Sequence, residues 1–423
     1  MDEERKFKLS ADIKEKKKSG TVLMTEGSIW KKLLIFSVPL ILGNLLQQLY
    51  STVDSIIVGN CVGKEALAAV GATGSIVNLL IAFSQGASVG AGVIISQYMG
   101  AKRKDDVKRA VHTAMAIAVI IGLVLTVTGV FMSRLFLVWM QTPDNIIDGA
   151  SLYLQIYCGG LLFNVLYNMC AGIFNAAGNS KRPLLYLGAA SVVNIALDLI
   201  LIQGFGMGVE GAAIATDASQ LVSCVMAIIY MVRVNADYKL FIRQIKVHRD
   251  MAIRIIKIGL PTAIGGSTMQ FGFLLMTKNV NVYGATAMTS YGIGNKINSI
   301  ITMPANGIGS AISTIVGQNI GAGQQERADK AYHYALRMGA LFLLFFGLIL
   351  SRRFISQAMV TFFSTDERVI PLATDFLSLM AFWCWSNAFY NVTQGLFQGS
   401  GHTMITMIVD ASRIWIFRLL TLW

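Results

Sequence analysis

The apolar residues of this chain fall into runs of about 20 residues, the length that crosses a bilayer as an α-helix. Short polar segments separate these runs. A helix satisfies its own backbone hydrogen bonds in lipid, and the weak alternation typical of a membrane barrel is absent. The pattern therefore predicts an all-α integral membrane protein with about 11 spans, at 31–58, 66–98, 107–132, 149–173, 183–203, 210–232, 251–281, 287–317, 328–351, 370–396 and 403–423.

The pattern also repeats along the chain. Pro39 and Pro261 occupy equivalent places in the similar stretches FSVPLILGN and IGLPTAIGG, at an offset of 222 (261 − 39). A proline inside a span removes a backbone hydrogen bond, so both positions are candidate hinges. Further pairs share nearly the same offset, from 221 to 223: Gly71 with Gly292, Gly86 with Gly307, Gln97 with Gln318, Gly100 with Gly321, and FNAAG at 174–178 with FQGSG at 397–401.

The repeat divides the chain into two lobes. We predict a basic tail at 1–29, an N-lobe of spans one to six at 30–233, a basic loop at 234–250 and a C-lobe at 251–423. A second copy of equal length would end near 233 + 222 = 455, whereas the sequence ends at Trp423. We therefore expect a C-lobe of spans seven to eleven, without the twelfth helix that would partner span six.

Composition and charge agree with a membrane protein. Hydrophobic residues make up 54% of the chain, charged residues 14%, and the mean hydropathy is +0.59. The net charge of +12 comes largely from alternate loops rather than from a nucleic-acid-binding surface. By the positive-inside rule those loops and the N-terminus are cytoplasmic, in a multi-pass protein of the cell membrane. The segment before Trp30 is charged throughout, unlike a signal peptide.

The cysteines and histidines indicate no metal centre. The five cysteines lack CxxC spacing, and the four histidines show no ligand pattern. We expect no cofactor and no enzymatic activity.

Two acids within spans do not repeat. Asp54 lies near the outer end of span one and Asp198 near the outer end of span five, and their counterparts are Met276 and Thr421. An ionisable group inside a membrane helix is costly, so it is a functional hypothesis by default. The alternative is that these acids only form packing hydrogen bonds or lie at the outer rim.

Three further polar residues fall at a similar depth or on the same helical face. Asn194 lies one turn before Asp198, and Gln47 lies two turns before Asp54. With the regular rise of an α-helix, Thr216 of span six reaches the depth of both acids. Oxygen ligands of this kind suit Na⁺ or a shared proton. The sequence therefore predicts a cation or proton site of Asp54, Asn194, Asp198, Thr216 and Gln47 in the N-lobe.

Other charges in the spans leave their roles open. Asp217 adjoins Thr216 but points about 100° away, either into the same cavity or into a helix interface. Lys278 either lines the cavity or extends to the membrane surface. Asp375 and Asp410 carry no assigned role.

Several longer segments form a specific combination, although no single one is specific: VPLILGNLLQQLYSTVDSIIVG, the repeat pair QYMGAKR and QNIGAGQ, and FNAAGNSKRP, NIALDLIL and GAAIAT. On these segments the chain resembles the multidrug and toxic compound extrusion (MATE) transporters, most closely their prokaryotic DinF-type branch. The resemblance runs from about Gly27 to the end.

The resemblance implies two six-helix lobes related by a pseudo-twofold axis along the membrane normal, with a V-shaped cavity between them. It implies export of cationic and amphipathic drugs from the cytoplasm by H⁺ or Na⁺ antiport and alternating access. The cation site of the DinF-type branch matches Asp54, Asn194, Asp198 and Thr216, with Gln47 and Pro39 also matching. The NorM branch places acids on the seventh and tenth helices; span seven here has none.

Two other functions compete with drug antiport. A flippase for a lipid-linked saccharide would need a basic cavity or a lateral lipid groove. An intramembrane enzyme would need a nucleophile with a base, or a metal cluster, and the spans contain neither. The partners we expect are drugs, H⁺ or Na⁺ and membrane lipids, with no nucleic acid, for a protein that acts as a monomer.

Overall fold

The structure is a computed structural model of the 423-residue chain, and it describes residues 22–418. Within that range the fold is all helical, as predicted, and contains no β-strand. We number its α-helices in chain order: α1 Ile29–Ile57, α2 Lys64–Gly100, α3 Lys104–Trp139, α4 Asp144–Gly159, α5 Leu161–Ala176, α6 Lys181–Asp198, α7 Val209–Arg233, α8 Arg249–Asn281, α9 Ala285–Gly321, α10 Gln325–Leu350, α11 Arg353–Thr361, α12 Val369–Trp383, α13 Ser386–Ser400 and α14 Thr403–Ala411.

Most of the predicted spans appear as single long helices. In the described part of the chain, seven helices are long and apolar enough to cross a membrane, or nine if each of two bent pairs counts as one span. The predicted spans at 251–281 and 403–423 also contain helices, α8 and α14, but neither meets that test. Hydropathy alone is a poor guide to α8, because this helix packs closely against α2 rather than facing only lipid.

Two predicted spans are each formed by two helices that meet at a bend. Span four consists of α4 and α5 with a bend of 48°, and span ten consists of α12 and α13 with a bend of 51°. Gly160 lies at the first bend, where a Cβ atom would collide with the Asp217 carboxyl group. The short helix α11 lies in a segment that we had placed in a loop.

The two lobes pack against each other with the symmetry of the repeat. In α2, Gly86 touches Gly259 and Ala263 of α8, on either side of Pro261. Its repeat partner Gly307, in α9, touches Ile41 of α1, next to Pro39. Equivalent residues of the two lobes thus make equivalent contacts with the opposite lobe, as a twofold relation requires.

A second pair of equivalent contacts lies at one end of the bundle. A Cβ atom on Gly100 would collide with the carbonyl oxygen of Gln318, and one on Gly321 would collide with that of Gln97. Only glycine permits two helix backbones to approach so closely.

We call this end the basic face, because most of the Lys- and Arg-rich loops lie there. An ion pair of 3.0 Å between Arg109 of α3 and Asp250 of α8 joins two of its helix ends. The last residues of the predicted basic tail also pack here: Met24 is 2% exposed, and its backbone N–H donates to Gln318 Oε1 at 2.8 Å. The remainder of that tail, 1–21, lies outside the described residues, as does the end of the eleventh predicted span, 419–423.

Candidate binding site between the two lobes

A cavity of about 980 Å³ lies between the two lobes. Its wall is formed in the N-lobe by α1, α2, α4, α5 and α7, and in the C-lobe by α9 and α13. Near the basic face it reaches Ser96 and Gln398, next to the close crossing of α2 and α9. Toward the opposite face it reaches Ser55 and Leu67.

Asp54 lies in the N-lobe wall of this cavity and is 8% exposed. Its neighbours on the wall include Gln47 and Thr216, two of the residues that the sequence placed with it. Tyr50 donates a hydrogen bond from its hydroxyl to Thr216 Oγ1 at 3.3 Å, so α1 and α7 are joined beside the acid.

Asp198 and Asn194 lie behind this wall, on α6, and both are 0% exposed. The Asp54 and Asp198 carboxyl groups are close neighbours that interact electrostatically. Asp54 Oδ1, both Asp198 oxygens and both Asn194 amide atoms have no hydrogen-bond partner among the described residues. Burying such groups unpaired costs about 1–3 kcal/mol each. The oxygens of the two carboxyl groups can share a proton or bind a small cation.

Both acids stand just before a change in helix geometry. Helix α1 gives way to a π-helix at Val58–Val62, and α6 gives way to another at Leu199–Gly204, directly after Asp198. Such wide turns inside helices occur frequently at functional sites. The periodicity of the sequence did not predict either π-helix.

The structure therefore brings the predicted acid pair together and places Asn194 beside Asp198 on one helix. Their role as an ion site stays a prediction. Sequence reasoning missed the aromatic part of the wall, Tyr50 with the stacked pair Tyr153 and Tyr157, whose ring centroids are 6.2 Å apart. Tyr50 precedes Asp54 by one helical turn, a spacing that offered a signal for its presence on this face.

Two residues proposed for the cavity lie elsewhere. Asp217 packs against the bend at Gly160, and it is not among the residues that line the cavity. Lys278 lies exposed in the last turn of α8. Of the alternatives that the sequence left open, these positions favour a helix interface for Asp217 and an exposed place for Lys278, because the direction in which a helix faces depends on packing that periodicity leaves undetermined.

The candidate hinges Pro39 and Pro261 are buried inside α1 and α8, and both helices continue through them. Their position beside the interlobe glycines places both prolines where the lobes meet. Whether they act as hinges stays a prediction.

A smaller cavity of about 300 Å³ adjoins the central one on the C-lobe side. It contains one acid, Asp410 of α14, which is 3% exposed. Tyr390 donates to Asp410 Oδ1 at 2.5 Å, and Gln394 donates to Oδ2 at 3.3 Å. Arg413 stacks over the Tyr390 ring at 4.2 Å. The sequence identified Asp410 as an acid in a span, and the structure shows the partners that hold it.

An internally duplicated helical membrane protein with buried acids at a cavity between its halves has the architecture of a secondary transporter. A family model described as MatE matches residues 39–200 and 261–423, more than half of the chain. The chain therefore belongs to the MatE family, which confirms the resemblance drawn from its motifs. The matched segments begin at Pro39 and Pro261, so each covers one copy of the repeat. The assignment to the DinF-type branch stays a prediction.

Relatives and solved structures agree with this family. The chain is 29% identical over 404 residues to the probable multidrug resistance protein YpnP of Bacillus subtilis, covering 93% of this chain and 88% of the relative. It is 24% identical over 387 residues to the multidrug export protein MepA of Staphylococcus aureus, covering 90% and 85%. These relatives are transporters rather than enzymes.

The fold is similar to that of an outward-facing multidrug resistance MATE family transporter of the MOP superfamily, with a TM-score of 0.86 and 24% identity over 94% of this chain and 88% of the other. It is also similar to a MOP superfamily transporter from Pyrococcus furiosus, with a TM-score of 0.88 and 23% identity over 95% and 89%. At this level of identity the likeness concerns the fold, which is that of a multi-pass membrane protein.

Proposed function

We propose that this protein exports organic cations and amphipathic drugs by antiport against H⁺ or Na⁺. The observation that carries the proposal is the chemistry of the cleft. The described residues lining the two cavities include two acids, Asp54 and Asp410, together with many amides and hydroxyls, but no Lys, Arg or His. Such a surface attracts positive charge and repels anions.

The coupling ion would bind at the acid pair. Two neighbouring carboxylates repel each other when both are ionised, and a shared proton or Na⁺ removes that repulsion. Asp54 lies at the cavity wall and Asp198 lies behind it, so a bound ion changes charge and hydration on the surface that faces the cargo. Exchange follows if ion and cargo favour different states of one rocking protein.

We infer that the basic face is the cytoplasmic side. The positive-inside rule supports this orientation, and the tight contact of Gly100 with Gln318 supports a cleft that is closed on this side. Cargo would then leave toward the opposite face in the present conformation.

Drug efflux from proteoliposomes tests the proposal when pH and Na⁺ gradients are imposed separately. We expect one gradient to drive efflux in the wild type, and Asp54→Asn and Asp198→Asn each to abolish it. Asp375→Asn is a matched control, because Asp375 is exposed and pairs with Arg353 at 3.3 Å outside the cleft. Unchanged efflux in both buried-acid variants would refute the mechanism.

A lipid-linked saccharide flippase receives less support, since its phosphate-bearing cargo calls for basic groups in the cleft. In the same vesicles, translocation of such a lipid without any drug efflux would favour the flippase over the antiporter.

A further inference from the structure

We propose that Asp410 forms a second binding site, the anchor for the positively charged group of an organic cation, separate from the acid pair of the N-lobe. The proposal deepens the proposed function and rests on it, because it names the chemistry that the C-lobe offers to the cargo. It assigns the ion to one lobe and the charged group of the cargo to the other.

The carboxylate of Asp410 is held in a fixed direction. Tyr390 and Gln394 lie one helical turn apart on α13 and each donates to a different oxygen, at 2.5 and 3.3 Å. A carboxylate offers about four acceptor positions, of which these donors use two. The acid therefore keeps acceptor capacity while its orientation is set, which is what a preorganised ligand site requires.

Glycine on the facing helix leaves space for the carboxylate. A Cβ atom on Gly265 of α8 would lie 2.9 Å from Asp410 Oδ2. Gly266 and Met269 of the same helix line the cavity. Methionine is flexible and polarisable, so it adapts to apolar cargo of different shapes.

The Asp410 cavity adjoins the central one. The two share lining residues from both lobes, including Gln85 of α2, Asn306 and Ser310 of α9 and Gln398 of α13. A cargo molecule that binds in the central cavity therefore lies next to the cavity that Asp410 lines.

Arg413 is a basic group close to this acid, and it contacts the ring of Tyr390. Its guanidinium lies 4.2 Å from the Tyr390 ring centroid, and Arg413 does not line the cavity. Its positive charge offsets part of the charge on Asp410. That arrangement lowers the cost of a charged Asp410 in the absence of cargo, since an unpaired buried charge would be far more costly.

A purely structural reading gives the cluster only the task of fastening α14 to α13. The two readings differ in their dependence on ligand charge. A packing role affects a cation and a neutral molecule of the same shape equally, whereas an electrostatic anchor affects the cation alone.

Equilibrium binding to purified protein in lipid nanodiscs tests the proposal, with berberine as the cation and dihydroberberine as its neutral counterpart of similar shape. We expect Asp410→Asn to weaken berberine binding at least tenfold and to change dihydroberberine binding less than twofold. Gly265→Ala, which crowds the carboxylate, should also weaken berberine preferentially. The control Asp375→Asn should bind both like the wild type.

Three results would overturn the proposal: a wild type that does not prefer berberine, an Asp410→Asn variant that binds berberine normally, or an equal loss of both ligands. Because binding needs no ion gradient, the two proposals fail separately. Normal berberine selectivity without gradient-driven efflux refutes the antiport; ion-driven efflux with unaltered berberine binding in Asp410→Asn refutes the anchor.

Discussion

The two lobes have the same scaffold but hold their buried acids in opposite ways. In the N-lobe, Asp54 and Asp198 are close neighbours, and three of their four oxygens have no partner among the described residues. In the C-lobe, Asp410 accepts hydrogen bonds from Tyr390 and Gln394. Oxygens without hydrogen-bond partners suit an exchangeable ion, because binding of the ion removes the cost of burying them unpaired. A carboxylate that two donors hold in place suits an anchor whose geometry stays constant through the transport cycle.

The largest effect on efflux should come from replacing a buried acid by its amide, and it should differ between the two lobes. We expect Asp198→Asn to reduce gradient-driven efflux at least 100-fold, because an amide cannot take up the coupling proton and binds Na⁺ weakly. Asp410→Asn should leave coupling to the ion gradient intact for a neutral cargo. Efflux rates in proteoliposomes, with imposed gradients and two cargo charges, measure both effects. Equal loss in the two variants for neutral cargo would abolish the distinction between the lobes.

The helix crossing that both lobes share should be the next most sensitive feature. Gly321→Ala places a Cβ atom against the Gln97 carbonyl, and we expect a loss of stability of about 3 kcal/mol, as for other overpacked contacts. Gly292→Ala is the matched control on the same helix, since nothing lies within 4 Å of its Cβ position. It should stabilise by up to about 1 kcal/mol through helix propensity. Thermal unfolding in detergent compares the two, and equal midpoints would contradict the close crossing.

Substitution of the two prolines should have a smaller effect on efflux. Pro39 lies on the helix that carries Asp54, whereas α8, which carries Pro261, contributes no acid to the ion pair. Alanine restores the missing backbone hydrogen bond and stiffens each helix. We expect Pro39→Ala to slow efflux about tenfold and Pro261→Ala to slow it less, with drug affinity retained in both. Transport rates and binding constants measured on the same preparations decide this, and a larger effect at Pro261 would move the hinge to the C-lobe.

The smallest effect should come from the contact that joins the lobes at the basic face. Arg327 of α10 donates to the backbone carbonyls of Met24, Glu26 and Gly27, at 2.8–3.3 Å. We expect Arg327→Ala to weaken this closure and to raise the fraction open at the basic face about fivefold, because water replaces most of these exposed hydrogen bonds and leaves a net loss of about 1 kcal/mol.

The fraction of protein open at the basic face can be measured with the variant Ser96→Cys in a Cys61→Ser background. A membrane-impermeant alkylating reagent is applied from the basic face, and the rate of labelling is followed. Ser96 is buried and lines the deep end of the central cavity. Lys330→Ala is the control, because Lys330 is exposed and pairs only with Glu326 among the described residues. Equal labelling rates in the two variants would show that the Arg327 contacts do not hold the face closed.

Much of the fold was predictable because it depends on local pattern. Apolar runs located the helices, and the spacing of Pro39 and Pro261 revealed the duplication. The bends in spans four and ten were not predictable. The first depends on Asp217 of span six, which lies far along the chain from Gly160 yet packs against that turn. A contact between distant segments leaves no trace in the periodicity of either one.

The amino-acid sequence by itself determined which residues are available: eleven apolar stretches, a repeated set of glycines, and acids that the repeat does not copy. Helix rise and periodicity are local properties, so they also determined the depth and approximate face of Asp54 and Asp198. Only the tertiary structure decided which groups meet. It placed Asp198 behind Asp54, turned Asp217 and Lys278 away from the cavity, and enclosed Asp410 between Tyr390 and Gln394. The physical reason is that a helix rotates and tilts to optimise packing against its neighbours, and those neighbours come from remote parts of the chain.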